Sequence, residues 1–170
     1  MTKQNSFNYI WPTLFGSFYN PEHQKIKNQL ISFFEKYKKD NPVGRKSGEN
    51  LRLYESKYDL HRQNNETIQN VFKNFIVKSF FETAKEANKN YLSQFSNSQL
   101  GVNITDAWFI HYEKGGFVAP HAHGDCSWCC VYYIQLGEDA SKKMGEPIFR
   151  SLIQQDQHSI LELFIIEKHQ

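Results

Sequence analysis

The chain has 170 residues, of which 39% are hydrophobic and 15% aromatic, so it can form the packed core of one ordinary domain and is not a disordered chain. Its net charge of +2 lacks the strong basic excess of a nucleic-acid-binding domain. No apolar run approaches the ~20 residues needed to cross a bilayer, and no secretory pattern follows Met1. We therefore expect a cytoplasmic protein with no nucleic-acid or membrane partner.

The first predicted element is a helix that opens at Asn20-Pro21, a residue pair favoured at helix starts. Apolar residues recur after it at helical spacing: Ile26, Leu30, Phe33, Phe34 and Tyr37. Lysines at the end of this stretch suit the negative helix C-terminus, and Asp40-Asn41-Pro42 closes it. The pattern predicts an amphipathic helix whose apolar face packs on a core.

A second and stronger helical pattern begins near Asn64-Asn65-Glu66. Its apolar face comprises Ile68, Val71, Phe72, Phe75, Ile76 and Phe80, continued by Ala84 and Ala87. Between the two helices, residues 51–60 have the character of an irregular or short-stranded segment. Residues 96–98 have the composition of a loop.

The second half of the chain changes to strand-like patterns. Residues 102–112 predict a strand with Trp108, Ile110 and Tyr112 on one side and Phe109 on the other. Residues 113–116 predict a turn, and residues 130–136 predict a second strand. Residues 147–149 predict the opening of a further strand. The apolar run at 159–167 is too short for periodicity to separate strand from helix. The order of helices followed by strands indicates an α+β fold. We expect one domain over 1–170, with a mainly helical part at 1–98 and a β part at 99–170.

The chemistry of the chain is concentrated in Pro120-His121-Ala122-His123. In an extended segment, residues two apart project to the same face, so His121 and His123 can point at one ion. Imidazole is a common ligand for iron, zinc, copper and nickel. Asp125 adds a carboxylate two residues further on. A His-x-His also occurs by chance on many surfaces, so the pair alone does not establish a metal site.

A structural zinc site is an alternative use of the same segment. His121, His123, Cys126 and Cys129 supply enough ligands for a tetrahedral site, which would make the chain a zinc-stabilised interaction protein. All of these residues lie close together in sequence, whereas structural zinc sites usually pair two knuckles separated by a longer loop. Cysteine at the start of an apolar strand also serves as a small buried hydrophobe.

The order of features from Trp108 to Ile134 resembles a block of the Fe(II)/2-oxoglutarate oxygenases found in bacteria and tailed phages. The resemblance covers about thirty residues closely and most of the chain more loosely. The matching features are the aromatic strand from Trp108-Phe109 to Tyr112, Lys114-Gly115-Gly116, Pro120-His121-Ala122-His123, and Cys130-Val131-Tyr132-Tyr133-Ile134. The segment Glu55-Ser56-Lys57-Tyr58-Asp59-Leu60 is compatible with the same family.

This resemblance implies N-terminal helices packed on a double-stranded β-helix, a jelly-roll-like barrel, that holds Fe(II) in a facial triad with open positions. The metal and 2-oxoglutarate would activate O₂ to hydroxylate a C–H bond of a small-molecule or protein substrate. His121 would be the first ligand, and His123 would occupy the place of the usual Asp or Glu, with Asp125 as the next candidate. Tyr132 and Tyr133 point to opposite faces of their strand, and one of them would contact the cosubstrate.

The family also has a distal His followed by an Arg that pairs with the 2-oxoglutarate carboxylate. After His123 the only histidines are His158 and His169, and the only arginine is Arg150. Residues 151–170 do not resemble the closing strands of the family, so we expect a barrel shortened at its C-terminus. His158 would then substitute as third ligand and Arg150 would bind the cosubstrate.

The shortened ending keeps two other interpretations open. One is a non-catalytic metal- or ligand-binding module on the same fold, and another is a cupin-like metalloenzyme, since cupins also place His-x-His on a strand. An incomplete barrel would leave a strand edge that a second copy could cover, which predicts a homodimer.

Overall fold

The structure is a computed structural model and describes residues 5–10, 13–45, 52–89, 101–113, 116, 118, 123, 126–136 and, for the backbone, 160–167. The helices are α1 (His23–Asp40), α2 (Glu66–Val71) and α3 (Val77–Ala87), the last two joined by a π-helical turn (Phe72–Ile76). The strands are β1 (Ser6–Ile10), β2 (Thr13–Ser17), β3 (Leu53–Glu55), β4 (Ile104–Tyr112), β5 (Trp128–Gln135) and β6 (Ile160–Glu167). The α+β class is therefore confirmed.

Helix α1 begins shortly after Asn20-Pro21, the residue pair that predicted its start. The Asn20 side-chain oxygen accepts a hydrogen bond from the backbone N–H of Glu22 at 3.0 Å, and the Asn20 carbonyl accepts one from His23 at 3.1 Å. A turn at residues 21 and 22 thus precedes the helix proper, which begins at His23. The predicted apolar face is inward, with Leu30, Phe34 and Tyr37 buried.

The second helical segment also forms where predicted. The Asn65 side chain caps α2 by accepting a hydrogen bond from the Ile68 N–H at 3.0 Å. The buried residues along the segment are Ile68, Val71, Phe72, Ile76, Phe80 and Ala84. The π-helical turn in its middle was not predicted, because apolar residues four apart fit an α-helix equally well.

Strand β6 lies inside the main sheet, whose order is β3-β4-β6-β5 with antiparallel neighbours. The ambiguous run at 159–167 is thus a strand. Within the predicted ending at 151–170, residues 160–167 thus pair with β4 on one side and β5 on the other. Since β4 and β5 each run antiparallel to β6, they are parallel to each other.

One face of the sheet packs against the helices. Phe109 of β4 meets Phe34 of α1 with ring centroids 4.4 Å apart, and Tyr37 and Tyr54 also contact the Phe109 ring. Ile134 of β5 belongs to the same core. This cluster also contains Ile68 and Val71 of α2 and Phe80 of α3, so it is the main core of the described protein.

The opposite face of the sheet carries a second cluster of Trp108, Ile110 and Tyr112, all nearly fully buried. Leu53, Tyr58, Val118 and Leu136 pack against it. The alternation predicted for β4, with these three residues on one side and Phe109 on the other, is confirmed. This face, away from the helices, bears the candidate site.

Two smaller features attach the N-terminal part to this frame. Ser56, directly after β3, is 1% exposed, and its hydroxyl donates to the Lys57 carbonyl and accepts from the Phe109 N–H, each at 3.0 Å. The β1–β2 ribbon was not predicted. A Cβ at Gly16 of β2 would lie 3.0 Å from the Thr83 hydroxyl, so this strand runs very close to α3.

Strand β3 comes from the part predicted to be mainly helical, yet it pairs with β4 of the other part. Within the described ranges, no helix is both long and apolar enough to span a membrane. The predicted loop at 96–98 and the predicted strand opening at 147–149 lie outside the described residues.

Candidate metal site beside Trp108

His123 lies against the indole of Trp108. The two ring centroids are 5.7 Å apart and the ring planes are inclined by 51°. His123 is half-buried, and Trp108 is 4% exposed. One of the two predicted metal ligands is therefore on the face of the sheet opposite the helices, beside an aromatic wall.

The aromatic wall continues away from His123. The Tyr58 ring lies 4.5 Å from Trp108, and the Arg45 guanidinium stacks on Tyr58 with its carbon 3.6 Å from the ring centroid. Arg45 also pairs with Glu55, whose carboxylate is nearly buried, at 3.0 Å from Nε to Oε1. Burial, and then the Glu55 charge, raise the pKa of Tyr58. Tyr58 thus contacts both Trp108 and Arg45, and its raised pKa favours the protonated hydroxyl.

A hydrogen-bonded turn follows β4. The Gly116 N–H donates to the Glu113 carbonyl at 2.8 Å, and the Glu113 N–H donates to the Arg52 carbonyl at 2.8 Å. A Cβ on Gly116 would lie 2.1 Å from the Arg52 oxygen. The turn predicted at 113–116 is consistent with these bonds, and only glycine fits its last position without displacing the backbone before β3.

Three cysteines follow His123. The Cys126 sulfur lies 3.9 Å from the His123 carbonyl oxygen. Cys129 is exposed at the start of β5, whereas Cys130 packs against the helix-side core. The pKa of the Cys129 thiol is raised, first by desolvation of the Cys129 sulfur and then by Cys126.

No group of three or more His, Cys, Asp or Glu side chains within the described residues is arranged to hold a metal ion. His123, Cys126 and Cys129 are therefore not assembled as zinc ligands in this structure. The remaining predicted site residues, His121, Asp125, Arg150 and His158, lie outside the described residues.

The sheet register separates the two candidate tyrosines. Tyr133 and Ile110 both pair with position 162 of β6, whereas Tyr132 and Phe109 both pair with position 163. Residues opposite one another in a sheet share a face, so Tyr133 is on the Trp108 face and Tyr132 is on the helix side. The predicted opposition of the two is confirmed, and of the pair it is Tyr133 that shares the face of His123.

Tyr132 instead belongs to a buried polar cluster that the sequence did not indicate. Its hydroxyl accepts a hydrogen bond from the Asn20 side-chain amide at 3.0 Å and lies 2.7 Å from His23 Nδ1. Burial is the main cause that raises the pKa of Tyr132 to about 12. No sequence signal relates residues this far apart, so only the fold reveals the cluster.

Two further histidines lie away from the Trp108 face. Burial and then Arg62 lower the pKa of His61, whose Nδ1 is buried without a hydrogen-bond partner among the described atoms. Burial and then Lys38 of α1 lower the pKa of His111, which pairs with Tyr54 and is half-buried on the helix side. Both imidazoles therefore favour the neutral form.

Comparisons with known proteins give no relative for this chain. It matches no protein-family model, no curated protein and no solved structure.

Proposed function

We propose that this chain is an Fe(II)/2-oxoglutarate-dependent oxygenase whose metal is held by His121 and His123. The observation that carries the proposal is the position of His123, half-buried against Trp108 on the face of the sheet away from the helices. His121 is two residues earlier, so in an extended segment it shares that face. Asp125 or His158 would supply the third ligand.

The environment of His123 suits such a metal. Imidazole is a ligand that Fe(II) accepts, and an apolar shell around a site limits solvent access. Trp108, which lies beside the imidazole, is 4% exposed and belongs to a buried apolar cluster with Ile110 and Tyr112. A mobile imidazole on an open surface would have no such neighbours.

The strand order supports the proposal of a double-stranded β-helix. Strand β6, the last of the described strands, lies between β4 and β5, which are parallel to each other. A late strand that returns between or beside earlier strands is typical of Greek-key and jelly-roll sheets. We propose that this sheet is one part of a complete double-stranded β-helix.

When bound, Fe(II) and 2-oxoglutarate would supply, with O₂, an oxidant able to hydroxylate a C–H bond. The chain's own contribution would be to hold the metal through His121 and His123 and to exclude water with the Trp108 wall. Tyr133, which shares this face by its strand register, would hydrogen-bond a ligand there. Arg150 would pair with the distal carboxylate of the cosubstrate.

The experiment that tests this function is an anaerobic titration with Fe(II) and 2-oxoglutarate, followed by visible absorption. We expect a metal-to-ligand charge-transfer band in the wild type and its loss in His121→Ala and His123→Ala. His111→Gln is the matched control, because it removes a half-buried histidine from the opposite face of the same sheet and should keep the band. Fe(II) binding without the band would favour the alternative of a non-catalytic metal-binding module.

A further inference from the structure

Three rings lie in series from the proposed metal ligand outward. The His123 and Trp108 ring centroids are 5.7 Å apart, and the Trp108 and Tyr58 centroids are 4.5 Å apart. The Arg45 guanidinium stacks on Tyr58 at 3.6 Å, and the Arg45 side chain is 43% exposed. A continuous series of contacts therefore joins the His123 imidazole to a residue that reaches solvent.

Trp108 and Tyr58 are the two members of this series that can lose an electron. Indole and phenol are the aromatic side chains that are oxidised most readily by one electron, whereas a phenyl ring is not oxidised under the same conditions. Ring centroids 4.5 Å apart are at the short end of the range for contacting aromatic pairs. At such contact an electron passes directly from one ring to the next. The series thus offers a route from Tyr58 through Trp108 to the vicinity of His123.

The surroundings of Tyr58 favour loss of its proton together with an electron. The Arg45 cation on the ring opposes a positive charge on Tyr58, so an oxidised phenol must release its proton. Arg45 also contacts the Glu55 carboxylate, with Nε 3.0 Å from Oε1, and this carboxylate is only 7% exposed. Glu55 Oε1 accepts no hydrogen bond from the residues that the structure describes. Glu55 is therefore a buried base with an unused acceptor oxygen, held by the same guanidinium that covers Tyr58.

We propose that Trp108 and Tyr58 form an electron path that protects the metal site when activated oxygen finds no substrate. The inference rests on the proposed function, because the oxidant must arise at His123. An oxidant of this kind that meets no substrate attacks the groups around it, and a site must limit such side reactions. The path supplies electrons instead, and a soluble one-electron reductant such as ascorbate replaces them at half-buried Tyr58.

The transfer balances for each electron. Trp108 gives one electron to the oxidant at the metal and becomes an indole radical cation. Tyr58 then gives one electron to Trp108, which restores the neutral indole, and the phenol proton moves to the Glu55 carboxylate. The neutral tyrosyl radical takes one electron from ascorbate and recovers its proton from Glu55. The net change is one electron lost by ascorbate and one gained at the metal.

The test mixes the anaerobic protein, loaded with Fe(II) and 2-oxoglutarate, with O₂ in the absence of substrate and freezes it within the first turnover. Electron paramagnetic resonance should show a tyrosyl radical in the wild type and its loss in Tyr58→Phe, which keeps the ring contact with Trp108. Tyr112→Phe is the matched control, because Tyr112 is a buried tyrosine of the same cluster as Trp108, and it should keep the signal. A radical that persists in Tyr58→Phe, or that disappears in Tyr112→Phe, would overturn the path.

The charge-transfer band of the same samples separates the two proposals. A wild type that forms the band and consumes O₂ without any tyrosyl radical would overturn the electron path and leave the proposed function standing. A wild type that binds no Fe(II) would refute the proposed function, and the path that depends on it would fall as well.

Peptide mass analysis after repeated turnover without substrate tests the protective role. Trp108 should gain oxygen in a larger fraction of Tyr58→Phe chains than of wild-type chains, and ascorbate should reduce this damage only in the wild type. Equal damage in both proteins would overturn protection. Glu55→Gln should lower the yield of the tyrosyl radical, because an amide cannot take the phenol proton. An unchanged yield would overturn the role of Glu55 and leave the path from Tyr58 to Trp108.

Discussion

The hydroxyl of Tyr132 lies 2.7 Å from Nδ1 of His23, and this contact ties the middle of β5 to the first residue of α1. The Asn20 amide donates to the same oxygen at 3.0 Å. The phenol can therefore accept from Asn20 while donating to an unprotonated Nδ1 of His23. The residues that open α1 are thus anchored to the sheet.

Replacing Tyr132 with Phe should lower the free energy of unfolding by about 1–3 kcal/mol. The ring would still fill its space beside Phe75, but two polar groups would lose their buried partner. Urea unfolding of the wild type and the variant measures the difference. A double-mutant cycle with Asn20→Ala should give non-additive effects, and strict additivity would contradict a shared network.

The same contact predicts a pH dependence at alkaline pH. The pKa of Tyr132 is raised to about 12 in the folded chain, against 10.0 for an ordinary tyrosine. Because the folded state holds the proton more tightly, this stabilisation is complete below pH 10 and is lost as the pH rises toward 12. The stability advantage of the wild type over Tyr132→Phe should therefore shrink by up to about 2 kcal/mol across that window. A constant difference would contradict the assignment.

Gly116→Ala should destabilise the protein. The new Cβ would meet the Arg52 carbonyl at 2.1 Å, and relief of such overlap typically costs about 1–3 kcal/mol. Gly101→Ala is the matched control, since a Cβ there meets nothing within 4 Å. Thermal unfolding of both variants checks the prediction. Equal melting temperatures would show that the turn before His123 is not constrained.

Ser56→Ala should also cost about 1–3 kcal/mol of stability. The Ser56 hydroxyl is the acceptor for the Phe109 N–H, and alanine would leave this buried donor without a partner. Ser79→Ala is the comparison, because that hydroxyl only donates to the Phe75 carbonyl within its own helix. A larger effect at Ser79 in urea unfolding would contradict the role given to Ser56.

The elements with strong periodicity were predictable from the sequence. α1 and β4 combine a clear repeat with local signals, such as Asn20 at the helix start and the alternation around Phe109. The β1–β2 ribbon was missed because its strands are short and Trp-Pro between them is not a usual hairpin turn. The apolar run of β6 needed its pairing partners, which the sequence does not provide.

Only those features of the site that depend on residues close together in the sequence were predictable. The His-x-His indicated a metal, whereas the contact of its second member with Trp108 was not predicted. Alternation along the strand predicts that Tyr132 and Tyr133 lie on opposite faces of the sheet, but it does not say which face each one takes. The pairing register of the sheet was needed for that assignment. The contact of Tyr132 with His23 joins residues 109 positions apart, and no local pattern encodes it.

The most direct test of the proposed metal site is anaerobic equilibrium binding of Fe(II) to the wild type, His123→Ala and His111→Gln. We expect one Fe(II) per chain in the wild type and in His111→Gln, and an affinity at least a hundredfold lower in His123→Ala, since loss of one ligand removes a bond that a three-ligand site requires. Wild-type protein that binds no Fe(II), or that binds it equally well without the His123 imidazole, would contradict the claim that His123 is a metal ligand.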